Sequence, residues 1–358
     1  MPVSFYPGPS EVYPRIPEYV QEAYQEGLLS SNHRSEAFMR LWAQTKQLLQ
    51  QQLEVPEAYE VICVSSATEC WQSLALSLAF SESLHLYSGD FGKKWAQYTQ
   101  ALRPEAVVRH LAFGLDEDPS PLLEAQLQTR PPDLLCLTYV ETSNATQLPE
   151  QLWSVLRRNA PHTLVAVDAT SAMGGVRLPW HLGDIWYASV QKCLGLPAGM
   201  GLLIVSPRAI QNAYQQGETR YYHSLIAQVE NTRKQQTTHT PNVLGIYLLA
   251  RTLADNPPIG TTHQRLQQQA QAYTACLETH PQLSLLVSNV AVRAPTVLAI
   301  KAAPEVLTQL YQKAATAGMT LGNGYGAWKH HTLRVANFPA IATEAHQGLI
   351  DLLNQYRF

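Results

Sequence analysis

Apolar and polar positions change period repeatedly along this chain, and each change marks an element. Compact apolar or β-branched runs at 59–64, 84–87, 107–111, 134–140, 163–167, 185–190 and 201–205 read as strands. Between the earlier runs, apolar positions recur every three or four residues, predicting helices near 68–79, 93–102, 121–128 and 150–158. Upstream, Ser35 is placed to cap a helix running to Leu53, with Phe38, Leu41, Trp42, Leu48 and Leu49 on one stripe. Strand–helix alternation of this kind predicts a mainly parallel sheet covered by helices.

Both ends of the chain differ from this middle. The first 16 residues hold four prolines and one glycine and read as an extended arm. Asp255-Asn256-Pro257-Pro258 breaks the pattern, and a long helix to about His280 follows. Strands near 283–287, 297–301 and 333–337 then alternate with helices at 304–317 and 343–356. The expected organisation is an arm (1–16), a large α/β domain (17–254) and a smaller C-terminal α+β domain (255–358). Gln-rich stretches at 47–52 and 267–271 fall inside helical patterns and read as solvated faces.

Composition narrows the partners. The 358 residues carry 25 Lys+Arg against 28 Asp+Glu, and no basic block stands anywhere, so nucleic acid is not the expected partner. The longest apolar stretches, 197–205 and 244–250, are too short to span a bilayer, and the N-terminus lacks the form of a secretory signal. Five scattered cysteines without a CxxC fit buried free thiols, giving the expectation of a cytoplasmic protein.

Two charged residues stand at strand ends. Lys192 ends the run at 185–190, and Asp168 ends the run at 163–167, on the sheet edge where open α/β folds bind ligands. A buried lysine favours its neutral amine and can form a Schiff base with an aldehyde cofactor; a strand-end surface lysine is the other reading. Asp168 could hold a pyridine nitrogen protonated, the pair that pyridoxal phosphate chemistry needs, or simply cap the residues after it. Ser65-Ser66-Ala67-Thr68 lies between a strand and a helix and suits an anion or an ordinary cap. Phe91 could stack on a planar ring or pack in the core.

VDATSAMGG (167–175) with ASVQKCLGLPAGMG (188–201) resembles the class V, fold-type I pyridoxal-phosphate aminotransferases, most closely their phosphoserine-converting branch. FYPGPSEV (5–12), SNHRSEAF (31–38), SSATE (65–69), ETSNAT (141–146), THTPNVLGIYLL (238–249) and LRVANFPA (333–340) follow in family order. The resemblance implies a mainly parallel seven-stranded sheet with a smaller C-terminal domain, pyridoxal 5′-phosphate as cofactor, and a homodimer with shared active sites. It implies Lys192 as the Schiff-base lysine, Asp168 as the pyridinium partner and Thr142 at the cofactor's phenolic oxygen. Ala67, Thr68, Thr170 and Gln191 would surround the phosphate, with His239 and Thr240 reaching it from the other subunit. Phe91 stands where the family stacks a Trp.

For the substrate, the resemblance implies His33 and Arg34 at a phosphate across the dimer and Arg334 at the α-carboxylate. A second His-Arg pair expected before Arg334 is replaced by Ala327 and Trp328, with Lys329 and His330 or His331 as candidate substitutes. The expected reaction is transamination between phosphoserine/3-phosphohydroxypyruvate and glutamate/2-oxoglutarate in serine biosynthesis. An alanine–glyoxylate or serine–pyruvate type of transaminase is the alternative. A cysteine desulfurase fits less well, since no cysteine follows Cys276. A non-catalytic binding protein would not need both Lys192 and Asp168.

Overall fold

In the computed structural model, which describes residues 2–355, the strand-forming runs assemble into one seven-stranded sheet. Its order is Glu60–Val64, Gly201–Val205, Ile185–Ser189, Leu164–Asp168, Leu134–Thr138, Glu82–Tyr87 and Val107–Ala112. Gly201–Val205 runs antiparallel to both neighbours, and every other pairing is parallel. Four central strands are buried at every position, which is why LLCLT, LVAVD, IWYAS and GLLIV show no polar alternation. Ser35 caps Glu36–Leu53 as expected, its hydroxyl accepting the Phe38 N–H at 3.2 Å.

A second, five-stranded sheet orders Val3–Phe5, Met319–Asn323, Thr332–Ala336, Val297–Lys301 and Ser284–Leu285. The arm therefore contributes a strand, paired in parallel with Met319–Asn323, to a sheet built otherwise from the C-terminal third of the chain. Helices Ile259–Glu278, Pro304–Thr316 and Thr343–Gln355 accompany this sheet, and Asn256-Pro257-Pro258 separates the first of them from Val243–Asp255. The expected end of the last helix at Tyr356 lies outside the described residues. No helix among the described residues is long and apolar enough to cross a membrane.

Some expected boundaries move. The run at 134–140 is not one strand: it stops at Thr138, and Val140–Glu141 pairs with Thr146–Gln147 in a small hairpin. The strand carrying the lysine stops at Ser189, so Lys192 lies in the turn beyond it, not at its end. All five cysteines are free and buried.

Candidate active site

Neighbouring strands deliver a row of polar groups at their carboxyl ends. Thr138 is in register with Asp168, and Asp168 with Tyr187, so the three side chains leave the same face of the sheet. Asp168 is buried and accepts the Thr170 N–H at 2.9 Å. Burial pushes its carboxyl upward, while Thr170, the Lys192 charge and Tyr187 oppose that rise. The Tyr187 hydroxyl accepts the Trp71 Nε1 proton at 2.9 Å, and burial holds this phenol well above its ordinary value.

Lys192 reaches the same place from its turn. It is 8% exposed, and its Nζ donates to Thr142 Oγ1 at 2.6 Å and Ser171 Oγ at 3.2 Å. Burial pushes its pKa down to about 8, against the opposing charges of Asp168 and Glu141. The N-terminal arm covers its stem. Gly8 has φ +147°, and a Cβ there would lie 3.0 Å from Lys192 Cε, so both backbone shape and space call for glycine. Ser10 N–H donates to the Gln191 carbonyl at 3.0 Å, fixing the arm on the lysine turn.

These groups open onto a cavity of about 560 Å³. Of the expected cofactor residues, Ala67, Thr68, Phe91, Thr142, Asp168, Thr170, Gln191 and Lys192 all line it. Ser66 caps helix Ala67–Ser77 by accepting the Glu69 N–H at 3.2 Å, which brings that helix's N-terminus to the cavity wall. Phe91 is delivered by helix Asp90–Leu102, whose first turn is held by a buried carboxylate. Glu141 accepts the N–H groups of Phe91 and Gly92, each at 3.2 Å, and the N–H and hydroxyl of Ser143 at 3.0 and 2.7 Å. Thr138 Oγ1 is buried at the cavity without a protein partner. An aromatic wall, a buried carboxylate, a buried amine and a helix N-terminus suit a planar, phosphorylated pyridine aldehyde. The residues fit pyridoxal 5′-phosphate.

The expected substrate residues divide into two groups. Arg334 adjoins the site without lining the cavity: it is 4% exposed, its Nε donates to the Asn323 carbonyl at 2.7 Å, and its Nη1 donates to the carbonyl of the cavity residue Thr142 at 2.9 Å. This second contact ties the five-stranded sheet to the residue that holds Lys192. His33, Arg34 and His239 lie near one another, since burial and then the neighbouring Arg34 and His239 charges depress the His33 imidazole. Neither they nor the exposed Thr240 line the Lys192 cavity. Lys329, His330 and His331 are exposed and also lie outside its wall.

Several residues at the site were not singled out from sequence. Ser171 and Ser189 sit inside recognised motifs, so their positions carried a usable signal. Glu141 likewise opens the recognised ETSNAT segment, whereas Trp71 and Tyr187 act through contacts between distant segments and carried none. Lys94 and Tyr325 also belong here, the former lining the cavity and the latter stacked on Phe91 with centroids 5.4 Å apart.

Comparison with known proteins agrees with this geometry. The model of the family "Aminotransferase class-V" matches residues 7–317. A phosphoserine aminotransferase of Corynebacterium glutamicum is 26% identical over 363 residues, covering 97% of this chain and 93% of its own. The solved structure of a phosphoserine aminotransferase from Cytophaga hutchinsonii shares 28% identity and a TM-score of 0.90, over 99% of this chain and 98% of that one. An alanine–glyoxylate aminotransferase from Nostoc sp. superposes with a TM-score of 0.80 over 99% of this chain and 94% of its own; at 24% identity it shows the fold alone. The architecture is that of the fold-type I aminotransferases. With the family model spanning most of its length, the chain belongs to the class V aminotransferases and is an enzyme of that kind.

Proposed function

We propose that this aminotransferase uses pyridoxal 5′-phosphate to move the amino group from glutamate to 3-phosphohydroxypyruvate, giving 2-oxoglutarate and phosphoserine in the direction of serine biosynthesis. The observation that carries the cofactor reading is the buried Lys192 amine, held by Thr142 and Ser171 in one cavity with Asp168. Lys192 would hold the cofactor's aldehyde carbon, Asp168 its ring nitrogen, Thr142 its phenolic oxygen, and Phe91 one ring face. Ala67, Thr68, Thr170 and Gln191 would hold its phosphate, joined by His239 and Thr240 of a second subunit. When bound, the cofactor supplies an electron sink for the bonds at the substrate's Cα.

The chain's own groups do the rest. Arg334, with two donors engaged by backbone carbonyls, presents the remainder of its fork to an α-carboxylate. Thr142 and Ser171 hold Lys192 Nζ in place, and its depressed pKa makes the neutral amine available near physiological pH. That amine removes the substrate Cα proton as general base and would pass it to the cofactor's aldehyde carbon in the same half-reaction, moving a proton the other way in the opposite one. Asp168 is buried at the cavity wall, and the Thr170 N–H holds its carboxylate in place.

The same reading makes the enzyme a cytoplasmic homodimer with arm 1–16, large domain 17–254 and small domain 255–358. His33 and Arg34 cluster with His239 away from the Lys192 cavity, which supports their serving the partner's site. Tyr222, 56% exposed, packs its ring on His239 and marks this face as one for a partner to cover.

Replacement of the second His-Arg pair by Ala327 and Trp328 favours the alternative, a transaminase for an unphosphorylated acid. Visible spectra of the purified holoenzyme titrated with phosphoserine, serine, alanine and glutamate separate the two. Phosphoserine and glutamate are expected to convert the cofactor band at low concentration, and Lys192→Ala to abolish repeated turnover. Preference for alanine or serine over phosphoserine establishes the alternative.

A further inference from the structure

Two cations, one on helix Asp90–Leu102 and one on strand Thr332–Ala336, share the ring of Tyr325. Lys94 Nζ lies 5.3 Å from its centroid and 2.9 Å from its hydroxyl, and the Arg334 guanidinium lies 5.3 Å from the same centroid. Tyr325 is stacked on Phe91, whose other neighbour is Lys192, with Nζ 5.0 Å from the ring centroid. Lys94 lies one turn along the helix from Phe91, its Nζ 5.6 Å from that ring. Three cations thus surround one pair of stacked rings, and each is differently committed.

Lys192 Nζ is engaged by two hydroxyls at the reacting centre. Arg334 is buried and locked by two carbonyls, which suits a fixed contact such as an α-carboxylate. Lys94 is solvent-exposed, lines the cavity, and donates to the Tyr325 hydroxyl; among the described residues no carboxylate forms a salt bridge with it, and the charges of Asp90 and Glu141 act on it from farther off. It is a full charge on the wall of this cavity with protons to spare. Its tyrosine comes from the segment where the family's second His-Arg pair is missing. Lys329 and His330, expected to make up that loss, are exposed and do not line the cavity.

We propose that Lys94, held by Tyr325, binds the distal anion of the substrate, whether a phosphate or a side-chain carboxylate, while Arg334 takes the α-carboxylate. The assignment rests on the transaminase reading above but not on the phosphorylated substrate. It makes the site one for acidic α-amino acids, with a cation for each end of the molecule and the amine between them. Because Lys94 belongs to the large sheet's helix and Tyr325 to the other sheet's loop, only the folded juxtaposition creates the contact.

The test compares Lys94→Met and Lys94→Arg holoenzymes with wild type in single half-reactions with glutamate, phosphoserine and alanine. Calorimetric binding of succinate, which cannot react, accompanies the kinetics. Lys94→Met is expected to lower kcat/KM for glutamate and phosphoserine by about tenfold or more while alanine stays within about twofold. Succinate should weaken by a similar factor, and Lys94→Arg should restore most of both losses. Equal losses on all three amino acids, or unchanged glutamate kinetics and succinate binding, overturn the proposal. If wild type reacts with glutamate but not phosphoserine, the phosphoserine reading fails, and Lys94 is still judged on glutamate and succinate.

Discussion

Lys192 owes its chemistry to a balance between burial and two carboxylates. Desolvation favours the neutral amine, Asp168 and Glu141 favour the ammonium, and burial wins by a shift down to about 8. The direction of each influence can be measured without cofactor. In the apoprotein, labelling of Lys192 by an amine-selective reagent, followed by mass spectrometry, should rise with a midpoint near 8, well below that of exposed lysines. Glu141→Gln removes a negative neighbour, so the midpoint should move lower still. A midpoint at the ordinary lysine value in wild type contradicts the burial argument. Lys192 and Asp168 were legible in the sequence because strand ends in a parallel sheet are where ligands bind, and both stand at or just past one. Glu141 stood in a recognised segment, but its hold on the Phe91 helix was not legible, and Tyr187 was not legible at all, because a single strand does not reveal which residue its neighbour places beside it. Tyr187 acquires its meaning only from the register that sets it against Asp168 and from Trp71 across the sheet.

At the scale of elements, helix Asp90–Leu102 brings Phe91 and Lys94 to the cavity because its first turn can press directly on two strand ends. Gly92 makes that approach possible. A Cβ there would lie 2.4 Å from Tyr87 Cβ and 2.7 Å from Thr138 Oγ1, both at the ends of their strands. Gly92→Ala should therefore push the helix outward, lowering stability by about 1–3 kcal/mol, the usual cost of overpacking. Because Phe91 moves with the helix, cofactor affinity measured by fluorescence titration of the apoprotein should fall as well. Unchanged stability and affinity would mean that the helix does not need this close contact. The sequence pattern located this helix but began it three residues late, since Asp90, Phe91 and Gly92 lack a polar cap and their order comes from Glu141. Helix Val243–Asp255 was missed for another reason. It packs against both Glu36–Leu53 and Ile16–Gln25 and is buried nearly all round, so it has no amphipathic stripe to read. Helices Pro207–Gln216 and Leu225–Arg233 did carry signals, in the capping Ser206 and Ser224, that the strand–helix alternation overshadowed.

For the whole molecule, one chain brings together the Lys192 amine, the Asp168 carboxylate, the Phe91 wall and Arg334, but not His33, Arg34 and His239. Those three meet elsewhere, next to the exposed Tyr222. If those three serve the site of a second copy, as proposed, the arrangement makes a prediction that no single-chain site can satisfy. Lys192→Ala should be inactive because it lacks the base, and Arg34→Ala should be strongly impaired with 3-phosphohydroxypyruvate because it lacks a phosphate contact. When the two variants are mixed under conditions that let subunits exchange, half of the dimers formed are hybrids. In each hybrid one site carries both changes and the other carries neither, so about a quarter of all sites become wild type. Activity with 3-phosphohydroxypyruvate should accordingly climb well above that of either parent, toward about a quarter of the wild-type value. If both residues instead served the site of their own chain, every site in every hybrid would keep one defect, and mixing would give only the average of the two parents. Size-exclusion chromatography of the mixture before and after exchange separates failure to pair from failure to complement.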